Sequence, residues 1–128
     1  MIVVDSSVWI CALRSRTSPE AITLGSLLDA DEVALPAPVR TEILMGARGA
    51  DRAKLADALR GVPMLYPADD TWRTIDTWTA RASRAGHTFA IADLLIAALT
   101  SEIGGLIWSH DADFRRMEEL DLVRRYDI

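Results

Sequence analysis

The chain opens with Ile2-Val3-Val4, a short β-branched run that stops at Asp5-Ser6-Ser7, three good helix N-caps in succession. Val8, Trp9, Ala12 and Leu13 then recur at helical spacing, so the pattern predicts a strand, a tight turn and a helix. Ile22, Leu24, Leu27 and Leu28 mark a second helix between Pro19 and Ala30, with Pro19 in its first turn. Glu32 to Leu35 predicts a second strand, ended by Pro36 and Pro38. Pro38 opens a helix through Met45 that closes near Gly46 or Gly49, and a polar-faced helix follows from Asp51 to Leu59, ending at Gly61. Val62 to Tyr66 is a third strand, bounded by Pro63 and Pro67. Asp69 or Asp70 caps a long helix carrying Trp72, Ile75, Trp78 and Ala82, with Gly86 as its stop. Thr88 begins the most apolar stretch, Phe89 to Leu99, which ends before Gly104-Gly105. Leu106-Ile107-Trp108 is a fourth strand, Ala112 to Leu120 a short helix, and Leu122-Val123 the start of a last strand.

Four or five short strands alternating with helices imply parallel βαβ units, hence an α/β fold whose sheet is covered on both faces. No internal repeat, low-complexity run or linker interrupts the pattern, which predicts one domain over residues 1–128. Half of the 128 residues are hydrophobic, and a chain of this length buries about two-thirds of its surface in one core. No stretch approaches the ~18 consecutive apolar residues of a membrane span. The N-terminus lacks a basic segment and a small-residue cleavage site, so it is expected to be structure and not a signal peptide. The single cysteine, Cys11, excludes an intrachain disulfide and a cysteine-based zinc site, and a cytoplasmic location is expected.

The acidic residues carry the chemistry. In open parallel sheets, ligands bind beyond the carboxyl ends of the strands where strand order reverses. Asp5 follows the first strand, and Asp111 and Asp113 follow the fourth, so the three converge if those strands are neighbours. Each is also a plausible N-cap. Asp93 sits in the run Ala90 to Leu99, which has no other charge, and a buried unpaired carboxylate must find an ion pair, a backbone partner or a metal. Glu42 on its short helix gains interest from this company. Carboxylates gathered at neutral pH stay ionised only around a cation, and hard oxygen ligands select Mg²⁺ or Mn²⁺. His87 and His110 have no metal-ligand spacing, and no dinucleotide, P-loop or nucleophile-elbow motif is present. Trp9, Trp72, Trp78 and Trp108 fall at spacings that read as core or dimer contacts.

Taken together, Val3-Val4-Asp5-Ser6-Ser7, Glu42, Ile91-Ala92-Asp93-Leu94-Leu95-Ile96-Ala97-Ala98 and Ser109-His110-Asp111-Ala112-Asp113-Phe114 resemble the PIN domain, and within it the VapC-type toxins of bacterial toxin–antitoxin pairs. The resemblance spans essentially the whole chain. It implies a three-layer α/β/α sandwich around a central parallel sheet of four to five strands, an acidic metal site and endoribonuclease activity on single strands. Asp5, Glu42 and Asp93 match the family's three dependable acids, and the fourth falls on Asp111 or Asp113, with Asp111 the nearer ligand. On this resemblance Asp5, Glu42, Asp93, Asp111 and Asp113 are catalytic, all but Glu42 also binding metal. Ser7 and Ser109 match supporting hydroxyls, for which a cap or turn role is the alternative. Mg²⁺ or Mn²⁺ is the implied cofactor. RNA, a cognate VapB-type antitoxin and a second copy in a homodimer are the implied partners, with DNA met only through the antitoxin.

Charge bears on this expectation twice. The net charge of −5 argues against a broad phosphate-gripping face, yet setting the five site carboxylates aside leaves equal numbers of acidic and basic residues. Thirteen of the 14 basic residues are Arg, suited to bidentate phosphate contacts, and Arg14, Arg16, Arg115 and Arg116 are the candidates nearest the site, with surface charge as their alternative. Two rivals are a receiver-like phosphoacceptor domain, which needs an aspartate directly after the third strand and a late lysine, and a non-catalytic PIN-like binding module. A haloacid-dehalogenase-like phosphatase lacks the second aspartate of its nucleophile motif in Asp5-Ser6-Ser7.

Overall fold

The computed structural model describes residues 1–127. Its elements in chain order are β1 (Ile2–Val4), α1 (Ser6–Arg14), α2 (Pro19–Asp29), β2 (Val33–Pro36), α3 (Ala37–Met45), α4 (Gly49–Leu59), β3 (Met64–Leu65), α5 (Asp69–Arg84), α6 (Ile91–Glu102), β4 (Leu106–Trp108) and α7 (Ala112–Glu119). The strands form one parallel sheet in the order β3-β2-β1-β4. The chain therefore steps outward from β1 through β2 to β3, then returns across the sheet to lay β4 on the other side of β1. Strand order reverses between β1 and β4, where Ile2, Val3 and Val4 pair with Leu106, Ile107 and Trp108.

Right-handed crossovers running in opposite directions place their helices on opposite faces. α1 packs on α2 and α3, α5 packs on α6, and the sheet lies between these groups as the middle layer of three. β1 and β2 are buried along their whole length, and the core continues into Val8, Val39, Ile96, Ile107, Phe114 and Met117. Such continuously apolar strands without alternation are what a doubly covered parallel sheet requires.

Several boundaries differ from the sequence pattern. The third strand shrinks from Val62–Tyr66 to Met64–Leu65, because Pro63 and Pro67 bracket it and neither can donate to a ladder. Leu122-Val123 does not begin a strand. Both side chains are buried, but ladder pairing is limited to a single bridge between Arg125 and Ile107, with Tyr126 N–H donating to Ile107 O at 2.8 Å. α6 begins at Ile91, after Thr88 to Ala90, which stay extended or irregular. Trp9, Trp78 and Trp108 are buried, whereas Trp72 is exposed: the inward stripe of α5 is Thr71, Ile75, Trp78 and Ala82, and Trp72 lies about 100° away around the helix. No helix among the described residues is long and apolar enough to cross a membrane.

Candidate metal centre

β1 ends at Val4, and the chain enters α1 through Asp5, whose extended backbone makes it the N-cap residue. Its carboxylate does not cap the helix. Instead Oδ2 accepts the Ser7 hydroxyl at 3.0 Å and the Ser109 hydroxyl at 2.7 Å. Each hydroxyl in turn accepts a backbone N–H from the loop after β4: Ser7 Oγ from His110 at 3.2 Å and Ser109 Oγ from Asp111 at 2.9 Å. Two serines thus stitch the reversal point of the sheet to one carboxylate oxygen. Among the described residues Asp5 Oδ1 takes no protein hydrogen bond, although the residue is 5% exposed.

Facing this pair, Asp93 in the first turn of α6 and Asp111 and Asp113 at the start of α7 each bring a carboxylate oxygen within 4.8 Å of the others. Asp111 also caps α7, accepting Asp113 N–H at 2.9 Å. Its N-cap role and its place in the cluster coexist, because one oxygen serves the helix and the second is free. Asp113 is held by Arg116 at 2.7 Å. Burial, followed by the charges of Asp111, Asp5, Asp113 and Glu42, pushes the Asp93 carboxyl up to about 6. Such a set of like charges is one that a cation would neutralise.

Glu42 completes it from α3. Ser6, buried one residue after Asp5, donates to Glu42 Oε2 at 3.2 Å. Oε1 is buried and finds no protein partner, one of two such side-chain atoms among the described residues, the other being Trp9 Nε1. Burial and then the Asp5 charge raise the Glu42 carboxyl above its ordinary value, against the lowering effect of Ser6. An orphaned carboxylate oxygen costs several kcal/mol unless a cation or a proton meets it. The donor set is all hard oxygen, so the residues present fit a divalent metal ion.

All five acids therefore lie at the carboxyl edge of the sheet around the β1/β4 reversal. The arginines are less concentrated. Arg14 ends α1, about 13 Å along the helix axis from Asp5. Arg14, Arg16 and Arg115 are exposed, and Arg116 is engaged by Asp113 instead of standing free for phosphate. Sequence spacing missed two partners. Ser6 was visible only as a potential cap, and Glu20 on α2 meets His110 Nε2 at 3.3 Å across a gap in sequence that no periodicity marks. A cavity of about 290 Å³ lined by Gly105, Glu118, Asp121 and Arg124 carries none of the five acids.

Comparison with known proteins gives a consistent picture. The chain matches the PIN domain over residues 2–120. Ribonuclease VapC11 of Mycobacterium tuberculosis is 35% identical over 119 residues, which cover 89% of each chain. Ribonuclease VapC18 of the same organism is 32% identical over 119 residues, 89% of this chain and 85% of that one. Among solved structures, VapBC2 from Rickettsia felis, bound to a DNA fragment from its promoter, aligns with a TM-score of 0.80 at 15% identity over 98% of each chain. At that identity the likeness is one of fold.

Proposed function

Since the chain belongs to the PIN-domain family, and within it to the VapC ribonucleases, we propose that it is a divalent-metal-dependent endoribonuclease toxin held in check by a VapB-type antitoxin. The observation that carries this function is the acidic cluster itself. Asp93, Asp111 and Asp113 lie within 4.8 Å of one another, and the orphaned Glu42 Oε1 is backed by Asp5. Mg²⁺ or Mn²⁺ is the cation these ligands select. When bound, it supplies Lewis-acid activation of water and of the scissile phosphate.

The protein's own residues do the rest. Asp93, Asp111 and Asp113 would hold the cation, and Asp5, whose Oδ2 is occupied by the two serines, would add its charge through Oδ1. Ser7 and Ser109 keep Asp5 oriented, because a carboxylate oxygen that accepts two hydroxyl donors is held against rotation. Glu42, raised by burial and by Asp5, is suited to take a proton from the attacking water. Water oxygen bonds to phosphorus as the P–O3′ bond breaks, leaving a 5′-phosphate and a 3′-oxygen that takes a proton from solvent to become the 3′-hydroxyl. Arg115, exposed on α7, is a candidate for phosphate contact.

Growth inhibition follows if the cleaved RNA serves translation, and a homodimer is the expected assembly. DNA would be met only through the antitoxin. A receiver-like domain is not favoured: β3 is followed by Tyr66 and Pro67 where the phosphoacceptor aspartate should stand, and the only lysine, Lys54, lies on α4. The deciding experiment incubates purified protein with single-stranded RNA in Mg²⁺ or in chelator. Chelator-sensitive cleavage that Asp93→Asn abolishes is expected, whereas cleavage in chelator, or full activity of the variant, overturns the proposal. Lack of cleavage by an intact, metal-binding wild type would point to the non-catalytic module.

A further inference from the structure

Glu20 and His110 lie outside the acidic set but are joined to it through the backbone. His110 is in the loop between β4 and α7, and its Nε2 is 3.3 Å from Glu20 Oε1. Its own N–H donates to Ser7 Oγ, and the N–H of the next residue, Asp111, donates to Ser109 Oγ. Both hydroxyls end on Asp5 Oδ2. The loop that carries Ser109 and Asp111 is thus tied to α1 by its backbone and to α2 by one side chain.

The α2 end of this tie is the firmer one. Glu20 is in the first turn of its helix, directly after Pro19, and the Ser18 side chain caps that turn by accepting Ala21 N–H at 3.1 Å. The Glu20 side chain is 20% exposed against 45% for His110. Cys11 on α1 borders the same carboxylate, whose charge adds to burial in raising the thiol pKa. An acceptor fixed by a capped helix start and packed against α1 can orient an imidazole without itself moving. The contact does not depend on imidazole charge, since a neutral ring with its proton on Nε2 donates to the carboxylate as an imidazolium does.

We infer that Glu20 is a positioning residue which, through His110, fixes the β4–α7 loop so that Ser109 and Asp111 are presented to the cation site. Its consequence for chemistry rests on the metal-dependent nuclease proposed above. The tie itself is a property of the free protein. An ordinary surface ion pair would contribute little and leave the loop unchanged.

The test uses the full chain as wild type, Glu20→Ala, Glu20→Gln and His110→Ala. Amide hydrogen exchange is followed without metal, Mn²⁺ binding by electron paramagnetic resonance, and RNA cleavage as kcat and KM. Glu20→Ala and His110→Ala are expected to speed exchange at His110 and Asp111 while the core strands stay protected. They should weaken Mn²⁺ binding by about tenfold, the low end for loss of an outer-shell partner, and lower kcat more than KM. Glu20→Gln, whose amide oxygen still accepts from Nε2, should restore all three. Unchanged exchange and Mn²⁺ affinity in both alanine variants overturns the inference, as does a uniform rise in exchange across the protein, which would mark a merely structural pair. If wild type neither binds Mn²⁺ nor cuts RNA, the nuclease proposal fails, while exchange at His110 and Asp111 still decides the tie.

Discussion

The Ser109 hydroxyl donates to Asp5 Oδ2 at 2.7 Å, joining residues 104 positions apart in sequence across the β1/β4 reversal. Ser109→Ala removes this bond and also frees the Asp111 N–H that the hydroxyl accepts. Loss of the part-buried bond to Asp5, with the exposed Asp111 N–H passing to water, should cost about 1 kcal/mol in stability. Cleavage should fall by about 10- to 100-fold, because a ligand's outer-shell support is lost. Urea denaturation and single-turnover cleavage measure the two effects, and Ser109→Thr, which keeps the hydroxyl, should retain most of both.

Asp93→Asn separates charge from shape. The amide is nearly isosteric with the carboxylate, but it cannot neutralise a cation and it relieves the repulsion from Asp111, Asp5, Asp113 and Glu42. The variant should be inactive yet melt at or above the wild-type temperature in chelator at neutral pH. A variant that melts far below wild type would mean that Asp93 stabilises the fold.

The elevated Asp93 carboxyl sets a pH dependence with a definite sign. In the folded protein its pKa is about 6 against an ordinary 3.8, so between these values the folded chain retains a proton that the unfolded chain has released. This group's contribution to metal-free stability therefore falls as pH rises through that window and is level above it. A bound cation requires the ionised form, so metal affinity should drop by up to tenfold per pH unit below about 6. Melting curves across this range should show the falling slope from this group in chelator and its disappearance in excess Mn²⁺, where the folded chain no longer holds the proton.

Gly105 is a test of the sheet. A Cβ there would stand 2.8 Å from the Met1 carbonyl oxygen, the same atom that accepts Leu106 N–H at 3.1 Å to start the β1/β4 pairing. Gly105→Ala should destabilise the protein by about 1–3 kcal/mol through this overpacking, measured by urea denaturation.

The parts of the fold legible in the sequence were those governed by local rules. Ile2-Val3-Val4 followed by Asp5 marks a strand end, and the solitary charge of Asp93 in an apolar helix marks a residue in need of a partner. For Trp72 the core reading misled, because the helix period sets it apart from the buried stripe of Ile75 and Trp78, while the dimer reading stands as a proposal. Leu122-Val123 misled in the opposite way: apolar burial was secured by packing under α7, with backbone pairing left to Arg125 and Tyr126. The contacts of Glu42 with Ser6, and of Glu20 with His110, depend on how helices from different crossovers meet. Such meetings leave no period in a single chain.

The strand order β3-β2-β1-β4 has a consequence for timing during synthesis. A nascent chain translated only through α5 already contains Asp5 and Glu42, but it has neither Asp93 nor the strand that pairs with the free edge of β1. The acids of the early and late segments meet only after β4 docks, so a growing chain carries an incomplete set of ligands. On the metal-dependent nuclease proposed above, cleavage would await Asp111 and Asp113, which follow the last strand of the sheet, so a ribosome making the chain would meet no active product before then.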